Sequence, residues 1–164
     1  MTVVDHPSQT RPQPAEPLGE LRYHRLLVAV DGSPNAELAL SAAVNVAKRD
    51  NATLTLVAVS PDLARWPAGA AYDPSLQGDA DEEARRTLDQ LVDRIPAEIG
   101  VRTLFRRGQA GPEIVKVARE GDFDAILVGA RGVGRVGAMF GSVSSHVLHN
   151  AGDLAVFVAH APKD

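Results

Sequence analysis

The sequence predicts an α/β fold, a parallel sheet of five strands with helices on both faces. Three observations carry that expectation. Five short apolar runs alternate with four segments of helical period. The runs are apolar almost throughout, as strands covered on both faces must be, instead of alternating apolar with polar. The composition, 45% hydrophobic but only 4% aromatic, implies a core of Val, Leu, Ile and Ala. At 164 residues the chain has the length of one domain with one core system.

Taken in order, residues 1–22 are rich in Pro, Gln and charge and are expected to form a disordered tail, leaving residues 23–161 as the folded domain. "RLLVAV" (Arg25–Val30) is the first strand, and it ends at "DGSPN", where Ser33 can cap a helix whose first residue is Pro34. Ala36, Leu40, Ala43, Val44 and Ala47 share one face of that helix, and "ATLTLVAVS" (Ala52–Ser60) is the next strand. From Pro61 to Gly78 the pattern dissolves, which reads as a long loop; its Trp66 and Tyr72 are candidates for a pocket lid or for anchors of their own loop. The acidic cluster Asp79, Asp81, Glu82 and Glu83 is expected to open the second helix, where carboxylates complement the helix dipole. Ala84, Leu88, Leu91, Val92 and Ile95 form its apolar face. "VRTLFRRG", a helix from Pro112, "FDAILVG", the helix "SVSSHVLHNA" and "LAVFVA" (Leu154–Ala159) complete the alternation. Each crossover is expected to be right-handed, and ligands of such sheets bind beyond the carboxyl ends of the strands. "VDGS" and "VGARG" both lie there.

Several function classes are excluded. A net charge of −4 without a dense Lys/Arg run argues against nucleic acid and against an anionic membrane surface. No run approaches the ~18 apolar residues of a membrane span, and the N-terminus lacks a signal peptide pattern, so a cytoplasmic protein is expected. There are no cysteines. His146 and His149 are three apart on one helix, but nothing nearby completes a metal ligand set. Ser33, Ser142, Ser144 and Ser145 lack a GxSxG elbow, and no positioned general base is evident, so the chain is not read as an enzyme.

The segment "GARGVGRVGAMFGS" (Gly129–Ser142) holds five glycines between a strand and a helix. Such a loop aims backbone N–H groups and the positive end of a helix dipole at its ligand, which favours an anion. Arg131 and Arg135 would add charge and Ser142 a hydroxyl; the competing reading is glycine chosen for tight packing. The segment matches neither the Walker pattern nor GxGxxG after the first strand.

"LLVAVDGSPNAELAL", "GPEIVKVAREGDFDAILVGARG" and "GSVSSHVLHNAGDLAVFVA" together resemble the universal stress protein family over about residues 23–160. ATP-binding members carry Gly, two residues, Gly, nine residues, then Gly with Ser or Thr. Gly129, Gly132, Gly141 and Ser142 match, but only eight residues, Val133–Phe140, lie between. The resemblance implies a Rossmann-like α/β/α sandwich of strand order 3-2-1-4-5 and a stress-response regulator that binds ATP, with Mg²⁺ left open. Ala29 and Asp31 would line the nucleoside side and Val59 the adenine. Val128, Gly129, Arg131, Gly132, Val133, Gly134, Gly141, Ser142 and Val143 would hold ribose and phosphates. It also implies that the last strand lies at a sheet edge, where Leu154–Ala159 offers no charge, proline or bulge to blunt association, so a homodimer is expected there. The alternative is a dimeric interaction module of the same fold that has lost nucleotide affinity through the shorter loop. An unidentified protein partner fits either reading.

Overall fold

The computed structural model describes residues 19–65, 72–131 and 141–162. Five strands, β1 (Arg25–Ala29), β2 (Thr53–Ser60), β3 (Val101–Arg107), β4 (Ala125–Gly129) and β5 (Ala155–Ala159), form one parallel sheet in the order β3-β2-β1-β4-β5. The helices are α1 (Pro34–Asp50), α2 (Pro74–Val92), α3 (Ala110–Glu120) and α4 (Ser142–Asn150). The predicted class and strand order are both found.

Successive residues of β1 serve different cores. Leu26 and Val28 pack with Ala39, Ala43, Leu88 and Leu91 beneath α1 and α2, while Leu27 packs with Ile114, Val117, Ile126 and Val147 beneath α3 and α4. Leu27 and Val28 are both fully buried. This is why the strand is apolar from Leu26 onward, with only Arg25 at its exposed start polar: with period-two side chains and both sheet faces covered, the interior leaves no position for a polar group.

Local signals start and stop the helices. In α1, Ser33 Oγ accepts the Ala36 N–H at 3.2 Å, Pro34 occupies the first position, and Asn51 closes the helix in the left-handed region at φ 56°. The chain enters the sheet tied to the other end of α1. Tyr23 N–H donates to Asp50 Oδ2 at 2.9 Å, and Arg49 Nε donates to Asp50 Oδ1 at 2.6 Å. These bonds, that from Arg49 foremost, hold the Asp50 carboxyl well below the usual carboxylate range.

Two helix starts differ from expectation. α2 begins at Pro74, not at the acidic cluster, because Asp73 Oδ1 accepts the Ser75 N–H at 2.9 Å and proline suits a first position. The loop after β2 is therefore shorter than Pro61–Gly78, and Gly78 lies inside α2. α2 ends at Val92, so Ile95 packs from the turn beyond it. α3 begins at Ala110, two residues before Pro112, with Gln109 at its cap.

Two glycines give opposite expectations. A Cβ at Gly129 would meet Ala36 N and Asn35 C, both at 2.8 Å, whereas one at Gly78 meets nothing within 4 Å. Gly129→Ala should therefore destabilise the fold by about 1–3 kcal/mol through overpacking against backbone. Gly78→Ala, in an exposed helix interior, should stabilise by about 0.5–1 kcal/mol. Urea unfolding of the two variants checks both signs.

Candidate functional site

The crevice beyond the carboxyl ends of β1, β2 and β4 is built by turns whose polar groups are engaged locally. After β1, Gly32 takes φ 77°, which a residue with Cβ resists, and Ser33 N–H donates to Asp31 Oδ1 at 2.9 Å. One carboxylate oxygen of Asp31 thus shapes the turn that starts α1.

After β4, Ala130 is the pin. Its N–H donates to Ala159 O at 2.7 Å, and its carbonyl accepts from Gly141 N–H at 2.6 Å and from Ser144 Oγ at 2.9 Å. The two ends of the glycine-rich segment are thereby held together, and α4 is set to start at the crevice. Ser144 is buried and bonded to carbonyls, which removes it from any nucleophile role. Asn35 bridges the same region: its Nδ2 donates to Arg131 O at 3.2 Å and its Oδ1 accepts Ala161 N–H at 2.7 Å. Arg131 Nη2 lies 3.3 Å from His160 Nε2.

These turns enclose a cleft of about 440 Å³. Asp31, Val59, Gly129, Arg131, Gly141, Ser142 and Val143, all singled out in the sequence, line it. Ala29 and Val128 line an adjoining cavity of about 70 Å³ that shares Asp31, Val59, Gly129, Arg131 and Val143 with the cleft. Gly132, Val133 and Gly134 lie outside the described residues, as do Trp66 and Arg135. α4 begins at Ser142, which is exposed, and its N-cap is Gly141, whose lack of a side chain leaves the helix without a side-chain cap. Arg131 is the one cationic side chain among the described lining residues; Asp31 and Glu83 are the acidic ones.

The wall opposite α4 escaped sequence reasoning. Ala80, Glu83, Ala84 and Thr87 of α2 line the cleft, as do Ser60 and Pro61 at the end of β2. With α2 beginning at Pro74, its acidic cluster falls in later turns and does not complement the dipole as expected. Asp81 instead accepts hydrogen bonds from Ser60 Oγ at 2.5 Å and Gln77 Nε2 at 2.7 Å, and pairs with Arg107. The Arg107 guanidinium first, then Ser60 and Gln77, hold the Asp81 carboxyl down to about 2. The one trace of it in the sequence is the one-turn spacing of Gln77 and Asp81.

The two histidines make separate contacts on α4. His146 packs over Gly111, where a Cβ would stand 2.8 Å from His146 Cβ, and His149 Nδ1 lies 2.7 Å from the Ser145 carbonyl one turn earlier. Among the described residues no helix is long and apolar enough to cross a membrane.

An open parallel sheet with a ligand-sized crevice where its strand order reverses is the doubly wound class. Within that class the assignment is specific: the universal stress protein family model matches residues 22–152, and the chain belongs to that family. It is 32% identical over 136 residues to the universal stress protein YxiE of Bacillus subtilis, covering 76% of this chain and 91% of that protein. Among solved structures it is similar to the universal stress protein UspA from Lactobacillus plantarum, at 26% identity and TM-score 0.66 over 85% of this chain and 99% of that one. It is similar as well to the universal stress protein from Archaeoglobus fulgidus in complex with dAMP, at 26% identity and TM-score 0.62 over 85% and 99%.

The Asp81 cluster has a pH consequence. Its folded carboxyl titrates near 2 against an ordinary 3.8, so the stability it contributes is fully present above about pH 5 and is lost as the pH falls through 4 towards 2. Asp81→Asn should therefore be less stable than the wild type at pH 7, and the gap should close on acidification across that window. Thermal unfolding of both proteins from pH 7 to pH 2.5 measures it.

Proposed function

We propose that this chain binds ATP or another adenine nucleotide in the crevice and acts as a stress-response regulator or sensor whose occupancy biases a partner contact. The observation that carries the reading is the convergence of the Asp31 turn and the N-terminus of α4 on one cleft of about 440 Å³, within the roughly 300–1,000 Å³ of small-molecule sites. The cleft is amphipathic in the way a nucleotide is. At one side Ala58, Val59, Ala80 and Ala84 supply apolar surface for a base; at the other, Arg131, Ser142 and the start of α4 supply positive potential and donors for phosphate. The dAMP complex of the Archaeoglobus relative supports an adenine ligand.

In this reading Ala29 and Asp31 line the nucleoside, Val59 the adenine, and Val128–Gly134 with Gly141–Val143 the ribose and phosphates. Mg²⁺ is a candidate companion of the phosphates. The chain is a binder and not an enzyme, with ATP hydrolysis slow and incidental, since the Ser33 hydroxyl caps α1 and that of Ser144 is spent on Ala130 and Gly141. The expected compartment is the cytoplasm. The protein is a homodimer through β5: this edge strand carries no charge, whereas β3 at the opposite edge carries Arg102, Arg106 and Arg107.

Calorimetry tests the ligand. ATP should bind the wild type, and Ser142→Ala should weaken ATP about tenfold while changing adenosine less than twofold, because a hydrogen bond to a charged group is lost at the phosphates alone. No binding of any adenine nucleotide at millimolar concentration, with none copurifying, removes this reading and leaves the ligand-free interaction module. Light scattering tests the dimer. The wild type should run at twice the chain mass and Phe157→Lys, which places a charge on a half-exposed edge residue, should fall towards monomer; a wild-type monomer at tens of micromolar eliminates it.

A further inference from the structure

The polar cluster behind the α2 wall points to a role beyond holding the fold. Ser60 at the end of β2 and Gln77 on α2 are 1% and 4% exposed, and each is anchored on Asp81 Oδ1. Gln77 is used completely: its Nε2 also donates to Pro61 O at 2.9 Å, and its Oε1 accepts Leu63 N–H at 2.9 Å. Arg107, at the end of β3, closes the cluster by donating from Nε and Nη2 to the two carboxylate oxygens of Asp81. Ser60 is itself held to β3, since Gly108 N–H donates to its carbonyl at 2.9 Å.

β2 and β3 are already paired in the sheet, whereas α2 otherwise meets them through apolar contacts and the Arg85 guanidinium over the Phe105 ring; the Asp81 carboxylate adds directional bonds from α2 to both strand ends. The bonds sit directly behind the cleft. Ser60 and Pro61 line it from the sheet side, and Ala80, Ala84 and Thr87 line it from α2. Apolar packing alone permits α2 to slide and tilt over the sheet, because it is not directional. Charge-assisted hydrogen bonds with fixed lengths do not. The separation between Val59 and the small face of Ala80 and Ala84 is therefore set by Asp81.

The geometry points to Asp81 as a positioning residue that fixes the width of the base-binding half of the cleft and so selects adenine over larger or differently substituted bases. This rests on the adenine-nucleotide reading and adds to it the residue that enforces base selectivity. Asp81 does not touch the ligand; it acts through Ser60, Pro61 and α2. The small side chains at Ala80 and Ala84 leave a slot, and a held slot rejects a base that would need the walls to move, whereas a loose one admits it.

The experiment compares full-length wild type, Asp81→Asn and Ser60→Ala, each first confirmed as folded by circular dichroism. Hydrogen exchange of the free proteins and calorimetry with adenosine, ATP and guanosine are then measured. In Asp81→Asn, amides of residues 76–84 should exchange at least about tenfold faster while those of β1, β4 and α1 stay unchanged, the pattern of a local opening. Adenosine and ATP should weaken by the same factor, about tenfold, and the adenosine-to-guanosine affinity ratio should fall. Ser60→Ala keeps the Arg107 pair and should show the same pattern at smaller amplitude, and it decides alone if Asp81→Asn does not fold. Unchanged exchange in α2, affinities within twofold of wild type, a loss confined to ATP, or equal losses with an unchanged base ratio each overturns the assignment. A wild type that binds neither adenosine nor ATP is distinguished from all of these, because it refutes the nucleotide reading itself and this inference with it.

Discussion

At the end of β4 the backbone of Gly129 lies against the first turn of α1, with no room for a Cβ between it and Asn35 or Ala36. The two strand exits that frame the crevice are thereby brought as near as a strand and a helix end can come. Everything local follows from that approach. Asn35, carried in by α1, reaches Arg131 O and Ala161 N–H, and Ser33 Oγ lies 3.5 Å from the same Arg131 carbonyl. The glycine at this position serves helix packing, and its neighbour Ala130 does the anchoring of the loop. A strand-to-helix turn that looks made for phosphate therefore begins with a residue whose smallness another helix demands.

The polar residues around the crevice are mostly occupied by the protein itself. Asp31 holds Ser33 N–H, Ser33 caps α1, Asn35 spans two segments and Ser144 holds the Ala130 and Gly141 carbonyls. Such engagement fixes the lining in place before any ligand arrives, so little rotamer freedom remains to be lost on binding. What faces the cleft is then backbone, small apolar side chains, the hydroxyl residues Ser142 and Thr87, and a few charges.

The sheet was legible because its central strands, β1 and β4, report their burial directly. "LLVA" and "AILV" have no polar position, which only a strand covered on both faces requires, and the caps at Ser33 and Asn51 mark α1 from both ends. Strand ends placed the "VDGS" and "VGARG" turns at the crevice, while Val59 as a lining residue came from the family resemblance alone. The α2 wall was not legible. Proline and glycine near Pro74 and Gly78 read as loop, although proline belongs at a first helical position and an exposed helix tolerates one glycine. That error shifted the acidic cluster into a first turn and hid the partners of Asp81, because Ser60 and Arg107 come from strands 21 and 26 residues away. Contacts of that range leave no periodic trace. Family resemblance supplied the strand order for a similar reason: the pairing of β1 with β4 is written in neither segment.

That pairing shapes how the chain reaches its fold during synthesis. Leu26, Leu27 and Val28 stand opposite Ala125, Ile126 and Leu127, about a hundred residues later. The first half, through β3, can assemble β1, β2 and β3 as a three-stranded unit as it emerges, but the other side of β1 has no partner until residues near 128 have been made. Until then the middle strand of the finished sheet is an edge, and its fully apolar segment is the one most open to wrong association. The β1–β4 pairing is thus among the longest-range contacts of the sheet, of the kind that folding reaches late. The most protected strand of the native protein is the most vulnerable one on the ribosome.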